Sequence, residues 1–313
     1  MRGTQFAELS AFVAVADEAS FTKAAIRLGV SKAWLSQAVR TLEETLGVRL
    51  LNRTTRSVGL TDAGERMLAQ LRPLLDGFDT ALESVNTFRD KPAGHLRIVV
   101  TPPAAKFVLL PVLKNFLAQY PEITIEVIVD TGVIDLVAGH FDAGIHRGER
   151  VARDMIALRL TQDLRFVTVA SPEYISRHGS PQTPYNLADH NCVRLRQSSG
   201  EILPWRYIID GKTVQVETHG SLVVNEPDCL VYAALEGIGL THIVEEYVAP
   251  MIADDRLVCL LEDYAPTLGG QFLYYPSRRQ NPAALQALID FMRANAQKSM
   301  KAINETSGVT SKK

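Results

Sequence analysis

No stretch of this sequence approaches the roughly 20 consecutive apolar residues needed to cross a bilayer, so a membrane is not expected among its partners. The N-terminal segment MRGTQFAELSAFVAVADEAS carries Glu8, Asp17 and Glu18 among its apolar positions. That is a poor match to a secretory h-region, and the cytoplasm is the expected compartment. Cysteine is scarce. Cys192, Cys229 and Cys259 are odd in number and widely spaced, which fits neither a disulfide framework nor a zinc-ligand pattern. All three read as buried structural thiols, with redox sensing as the rival. A strong charge of either sign is lacking as well: the formal net charge is −2, so any signal for nucleic acid has to be local. Also missing are G-x-S-x-G, a P-loop, H-E-x-x-H and a dinucleotide fingerprint. The glycines of EGIGL (236–240) follow a helical pattern instead of opening one, so they make no phosphate loop. Neither turnover, a metal site nor a cofactor is expected.

What is present falls into three blocks. The chain is long enough for two or three domains with separate cores, and 46% hydrophobic with 22% charged residues is ordinary globular composition. Residues 1–61 are helix-dense and locally basic. Residues 62–90 form one long helical pattern. Over residues 91–298, short β-rich runs alternate with amphipathic helical patterns, the mark of α/β architecture. LRIVV (96–100), ITIEVIV (123–129) and RFVTVAS (165–171) read as strands. FVLLPVLKNFLAQY (107–120), EPDCLVYAALEG (226–237) and PAALQALIDFMRAN (282–295) read as helices. The polar, lysine-tipped residues 299–313 are expected to be disordered.

In the first block Leu9, Phe12, Val13 and Ala16 recur at i, i+3, i+4 and i+7, so the first helix buries one face. Ser20 can cap a second helix, FTKAAIRL, which Gly29 ends; Ser31 then caps a third. Two short helices around a tight glycine-containing turn, over about residues 21–40, make a helix-turn-helix. The third helix, SKAWLSQAVRTLEETL, is expected to bury Leu35, Val39, Leu42 and Leu46. Opposite them lie Ala33, Gln37 and Arg40, with Ser36 on the shoulder and Lys32 at the N-terminal end. A helix entering a DNA major groove needs small residues for close approach, an amide or guanidinium to read base edges, and no acids in its leading half. This face meets those needs; a merely solvated amphipathic helix is the bland alternative.

Local charge favours the first reading. Residues 20–60 hold seven Lys and Arg against two acids, a net +5 within a chain of −2, which concentrates phosphate-binding charge on one domain. LLNRTTRSVGLT (50–61) reads as two short strands around a basic tip. Such a wing can lay Arg53 and Arg56 along the backbone or in a minor groove. Thr61 can then cap the long helix, on which Met67, Leu71, Leu74, Phe78, Ala81, Val85 and Phe88 alternate spacings of 4 and 3, a heptad stripe. A partner helix from a second chain would bury that stripe; packing on the domain's own core is the alternative. Pro73 is expected to kink this helix without stopping it.

Together these residues resemble the LysR-type bacterial transcriptional regulators. The resemblance runs from Phe6 to about Asn295, and its most specific part is FVAVADEASFTKAAIRLGVSKAWLSQAVRTLEETLGVRLLNRTTRSVGLTDAGE, residues 12–65. HLRIVVTPP, FDAGIHRGE, TVASPEYISRHGSP and ALEGIGLTHI look like the family's effector-binding region. The resemblance implies a winged helix-turn-helix, a linker helix that dimerises, and a C-terminal two-lobed α/β effector-binding domain like that of periplasmic binding proteins. Lobe I would span about 91–162 and 270–298, and lobe II about 163–269. The implied function is sequence-specific binding to double-stranded promoter DNA, modulated by an unidentified small-molecule effector. The implied assembly is a homodimer or dimer of dimers, with RNA polymerase as a further partner. By resemblance, base and phosphate contacts fall on Lys32, Ala33, Ser36, Gln37 and Arg40, with the wing on Arg53 and Arg56. One departure is Trp34, where the family often has a small residue or Pro. It either packs laterally on the second helix or touches a deoxyribose.

The lobes are expected to be joined by crossing strands near 161–163 and 269–271. Ligands in open α/β sheets sit at the carboxyl ends of strands, beside helix N-termini. That rule sets Thr101 and Pro102 after the first strand, Thr131 after the second, and Ile145 and His146 at the end of the third. Across the cleft stand Arg196 and, at a helix start, Asn225. The family commonly has Arg where His146 stands, and a histidine would act more weakly and with pH dependence; a purely structural role for it is equally open. The set suits a small anion such as a carboxylate. A solute-binding protein would share the two-lobed fold, but it needs export and has no use for a basic helix-turn-helix. A purely architectural DNA-binding protein would leave the cleft-bearing region unexplained.

Overall fold

The computed structural model describes residues 3–53, 58–86, 91–132, 135–137, 139–148, 155–277 and 281–309. The chain divides into two compact units, Met1–Phe88 and Arg89–Lys313.

In the first unit, α1 (Gly3–Glu18), α2 (Phe21–Leu28) and α3 (Lys32–Leu46) precede an antiparallel ribbon of β1 (Leu51–Arg53) and β2 (Val58–Leu60), followed by α4 (Asp62–Asn86). The caps act as the sequence predicts. Ser20 Oγ accepts from Lys23 N at 3.3 Å and Ser31 Oγ from Trp34 N at 3.1 Å, each satisfying an amide that the helix itself cannot. Between the two helices Gly29 takes φ 64°, a left-handed conformation that glycine reaches at no steric cost. Phe12, Ala24, Leu35 and Val39 are completely buried.

The core differs from expectation in two places. On α1 all of residues 11–15 are buried, because α2, α3 and α4 pack around that helix from several sides; Leu9 and Ala16 only flank the core. On α3, Leu46 is 44% exposed and Ala38 is buried in its stead, since the helix ends at Gly47 before Leu46 finds cover.

Thr61 Oγ1 accepts from Gly64 N at 3.1 Å to cap α4 and donates to the Arg49 carbonyl at 2.7 Å. A β-carbon at Gly64 would lie 2.1 Å from the Leu50 carbonyl oxygen, so α4 begins directly against the chain that enters the ribbon. Pro73 is carried inside α4 without ending it. The heptad stripe is divided: Met67 and Leu71, with Leu68 and Leu75 beside them, pack on the unit's own core. Leu74 and Phe78 stay exposed, although Phe78 meets the Phe6 ring at 4.8 Å. The side chains of Ala81 and Val85, and all of Phe88, lie outside the described residues.

In the second unit β3 (Gly94–Val100) leads into a helical run made of α5 (Pro102–Ala104), a π-turn (Ala105–Leu109) and α6 (Leu110–Gln119). The run starts five residues before the expected 107, with two prolines in the first turn, where a missing N–H costs nothing. β4 (Ile123–Val129), β5 (Ala143–Arg147) and β6 (Met155–Arg159) follow. The chain then crosses into a second lobe: β7 (Leu164–Ala170), α7 (Pro172–His178), β8 (Arg194–Leu195), β9 (Trp205–Ile209), β10 (Lys212–Val216), β11 (Val223–Val224), α8 (Pro227–Leu235), β12 (Thr241–Val244), α9 (Ala249–Ala253), β13 (Val258–Leu260) and β14 (Thr267–Leu268). It returns as β15 (Gln271–Pro276) and ends in α10 (Ala283–Val309).

The first lobe is a five-stranded sheet in the order β4-β3-β5-β15-β6, with β15 antiparallel to both neighbours. The second is built on β7, to which β12, β13 and β14 all run antiparallel. The crossings lie side by side at the expected positions. Leu160 N donates to the Gln271 carbonyl at 2.8 Å, Gln271 N to Thr161 Oγ1 at 2.9 Å, and Gly270 N to Asp163 Oδ1 at 3.2 Å. α10 buries Leu285, Leu288, Ile289 and Met292 on the first lobe. It runs on to Val309, through residues expected to be disordered. Elongating a helix already anchored by packing is cheap, and no proline interrupts residues 299–309.

Candidate functional site

On α3 the side chains of Lys32, Ala33, Gln37 and Arg40 are exposed and Ser36 is half-buried, so the five predicted positions form one accessible, acid-free surface. Gln37 Nε2 donates a long 3.4 Å bond to Thr41 Oγ1, weak enough to exchange for a base edge. Trp34 is 44% exposed, and α2 therefore does not bury it. The first acid on the helix, Glu43, serves the fold. Its Oε1 accepts from Leu50 N at 2.9 Å and Leu51 N at 3.0 Å, tying α3 to the ribbon. Among the basic residues Arg27 is partly engaged, lying 3.5 Å from both Asp17 and Glu18. Lys23, Lys32, Arg40 and Arg49 are exposed. The backbone of Arg53 ends β1, whereas its side chain and the whole of Arg56 lie outside the described residues.

The second unit holds a cavity of about 90 Å³ between its lobes. Thr101, Pro102, Thr131 and His146 line it, as the strand-end rule predicts. His146 is nearly buried, and its Nδ1 accepts from Arg147 N at 2.7 Å. Arg196 and Asn225 do not reach the cavity. The Arg196 guanidinium donates to the Gly200 carbonyl at 2.6 Å, in its own loop. Along that extended stretch Leu195 and Gln197 face the cavity, so the alternation of an extended chain turns Arg196 outward. Asn225 is exposed and stands before the capping residue of α8, which is Glu226.

Several lining residues escaped sequence reasoning: Arg147 at the end of β5, Phe166 on β7, His242 on β12, Tyr247, and Gln271 at the return crossing. Their segments were marked in the sequence, Arg147 in FDAGIHRGE, Phe166 in RFVTVAS, His242 in ALEGIGLTHI and Gln271 in the crossing, but nothing there pointed their side chains at a common cavity. Two sets of contacts tie the lobes across the rims. Ser198 N donates to Thr131 Oγ1 at 2.8 Å, and the Ser198 hydroxyl bonds the Asp130 carboxylate. On the other side Lys106 pairs with Asp228 and sits 4.8 Å over the Tyr247 ring, while Phe107 meets that ring edge-on at 4.8 Å.

Burial sets the protonation states here. His242 lies among Phe166, Trp205 and Tyr207 with its Nδ1 3.1 Å from Thr168 Oγ1. Desolvation lowers its pKa to about 3, so the ring is neutral at physiological pH. Burial pushes the Cys192 thiol up to about 12 and the Cys259 thiol up to about 11, which leaves neither as a ready thiolate. Cys229 is exposed on α8, contrary to the expectation of three buried thiols, and Cys259 is only half-buried. Among the described residues no cluster of His, Cys, Asp or Glu is placed to hold a metal ion, and no helix is long and apolar enough to cross a membrane.

Two family descriptions match the chain. Residues 6–65 match the bacterial regulatory helix-turn-helix protein of the lysR family, and residues 89–297 match the LysR substrate binding domain. The chain is 41% identical over 294 residues to the HTH-type transcriptional regulator PgrR of Escherichia coli, covering 94% of this chain and 98% of that protein. Among solved structures it resembles the full-length virulence activator AphB of Vibrio cholerae, with TM-score 0.70, 25% identity, and coverage of 92% of this chain and 98% of that one. It also resembles CrgA of Neisseria meningitidis, with TM-score 0.59, 28% identity, and coverage of 93% and 98%.

Proposed function

Because the chain belongs to the LysR family of bacterial transcriptional regulators, we propose that α3 reads promoter DNA and that a small effector in the interlobe cavity adjusts that reading. The observation that carries the DNA assignment is the exposed, acid-free face of a helix whose other side is locked into the core. Gln37 and Arg40 supply the amide and guanidinium for base edges, Ala33 and Ser36 permit close approach, and Lys32 meets phosphate. Arg53 and Arg56 act as the wing's backbone clamp. Leu74 and Phe78 give α4 an apolar surface for a second copy, so the working species is a homodimer or a pair of dimers in the cytoplasm, positioned to contact RNA polymerase.

The test is binding of the purified protein to DNA from upstream of its own gene, titrated with salt. Gln37→Ala should lose about 1–3 kcal/mol of discrimination between that DNA and random sequence. Arg56→Ala should weaken binding to both DNAs and reduce the slope of log affinity against log salt by about one. Absence of binding at low salt would overturn the reading.

A further inference from the structure

The cavity contains a buried carboxamide whose chemistry defines the effector it takes. Gln271 is only 1% exposed and lines the cavity, yet its Oε1 has no hydrogen-bond partner among the described residues. Its backbone is fully engaged at the crossing: Gln271 N donates to Thr161 Oγ1 at 2.9 Å, and its carbonyl accepts from Leu160 N at 2.8 Å. The side chain therefore contributes nothing to the strand pairing that holds β15 in place. In the lining of the same cavity Thr101 is 9% exposed, and its Oγ1 is likewise buried without a hydrogen-bond partner among the described residues. An unsatisfied polar atom at such depth is costly unless something else satisfies it.

We infer that Gln271 and Thr101 anchor the polar head of the effector, and that this head is uncharged and carries an N–H or O–H donor beside an acceptor, as a primary amide or a hydroxyl does. The inference rests on the cavity being the effector site. A carboxylate is the weaker fit because, being acceptor-only at neutral pH, it has no donor to offer the Gln271 Oε1, itself an acceptor. The helix start after β3 does not compensate, for Pro102 and Pro103 bring no N–H to an anion there. Arg196, the cation expected to face an anion, is held by Gly200 outside the cavity, and Arg147, which does line it, already has a partner of its own and is no free cation for an anion. The rest of the effector follows from the wall of the second lobe, where Leu164, Phe166, Leu195 and Leu203 are apolar. They suit a small aromatic or branched aliphatic body. The head thus meets the protein at the crossing between the lobes, while the body lies against one lobe.

The experiment uses the full chain and probes with one body and three heads: benzamide, benzyl alcohol and benzoate, each titrated while the melting temperature is followed. Benzamide or benzyl alcohol should raise the melting temperature saturably, with benzoate weaker by about tenfold or more. Gln271→Met should melt at or above the wild type, because it removes a buried unsatisfied amide without disturbing the backbone pairing, and should lose the response to benzamide. A Gln271→Met protein that melts well below the wild type would make the carboxamide structural and overturn the inference. So would benzoate outperforming the neutral probes, or no response to any probe. Leu203→Trp, which fills the cavity, separates the two levels of failure. If benzoate binds best and Leu203→Trp abolishes that binding, the cavity stands and the head chemistry is wrong. If neutral probes shift Leu203→Trp as much as the wild type, they bind elsewhere, and the cavity reading falls with the inference.

Discussion

Folding moves the pKa of His242 from the ordinary 6.5 to about 3, through burial alone. Between those values the unfolded chain takes up a proton that the folded chain refuses, so the unfolded state gains on acidification. The stability tied to this ring is intact above about pH 6.5 and declines as the pH falls toward 3, by roughly 1.4 kcal/mol per pH unit in that window. Urea denaturation at pH 7 and pH 5 checks this: His242→Gln should lose less stability on acidification than the wild type, and equal losses would contradict it. A second single-residue prediction concerns Gly64. With only 2.1 Å between an added methyl carbon and the Leu50 carbonyl oxygen, Gly64→Ala should cost on the order of 3 kcal/mol or more, read as a lowered unfolding midpoint. Neither effect is legible in the sequence, because both depend on which distant segment comes to lie alongside. The exposed, acid-free face of α3 was legible for the opposite reason. Lys32, Ala33, Ser36, Gln37 and Arg40 sit on one helix, where the 3.6-residue period alone decides which side they share. Thr101 lines the cavity and Arg196 does not: the end of a strand before a helix is a fixed place, whereas the facing of one residue just beyond the short β8 shifts with a single step of register.

At the scale of elements, α4 shows one periodic pattern divided between a core and solvent. Its first turns, through Leu71 and Leu75, seal the core of the DNA-binding unit, while Leu74 and Phe78 face solvent. A heptad stripe announces that a face will be buried but does not say against what. Leu74→Glu together with Phe78→Glu should leave the first unit folded, since neither residue belongs to its core, and should shift the protein toward monomer in analytical ultracentrifugation. A double variant that stays fully associated would move the dimer surface elsewhere. The start of the helical run at Pro102 and the extension of α10 past residue 299 mark the other limit of sequence reading. Element existence follows from composition and period, while element ends follow from caps and from packing further back along the helix.

At the scale of the molecule, the division at Phe88 separates two cores that share no buried cluster among the described residues. Residues 89–313 expressed alone should therefore melt in a single cooperative transition, as followed by far-UV circular dichroism, and a broad non-cooperative loss of signal would show dependence on residues 1–88. The α/β alternation made the lobes foreseeable. The cavity lining was foreseeable only at the strand ends of the first lobe, because the rest draws on β7, β12 and β15 at once.

The position of β15 sets an order of events during synthesis. It fills the slot between β5 and β6 in the first lobe, yet it leaves the ribosome only after the whole of the second lobe has been made. Until then β5 and β6 each carry an open edge, and the first lobe waits for its missing strand while the second is already complete. The helix-turn-helix, by contrast, is finished first. Gln271 opens that late strand, so a nascent chain holds a completed helix-turn-helix well before it can close the cavity between the lobes.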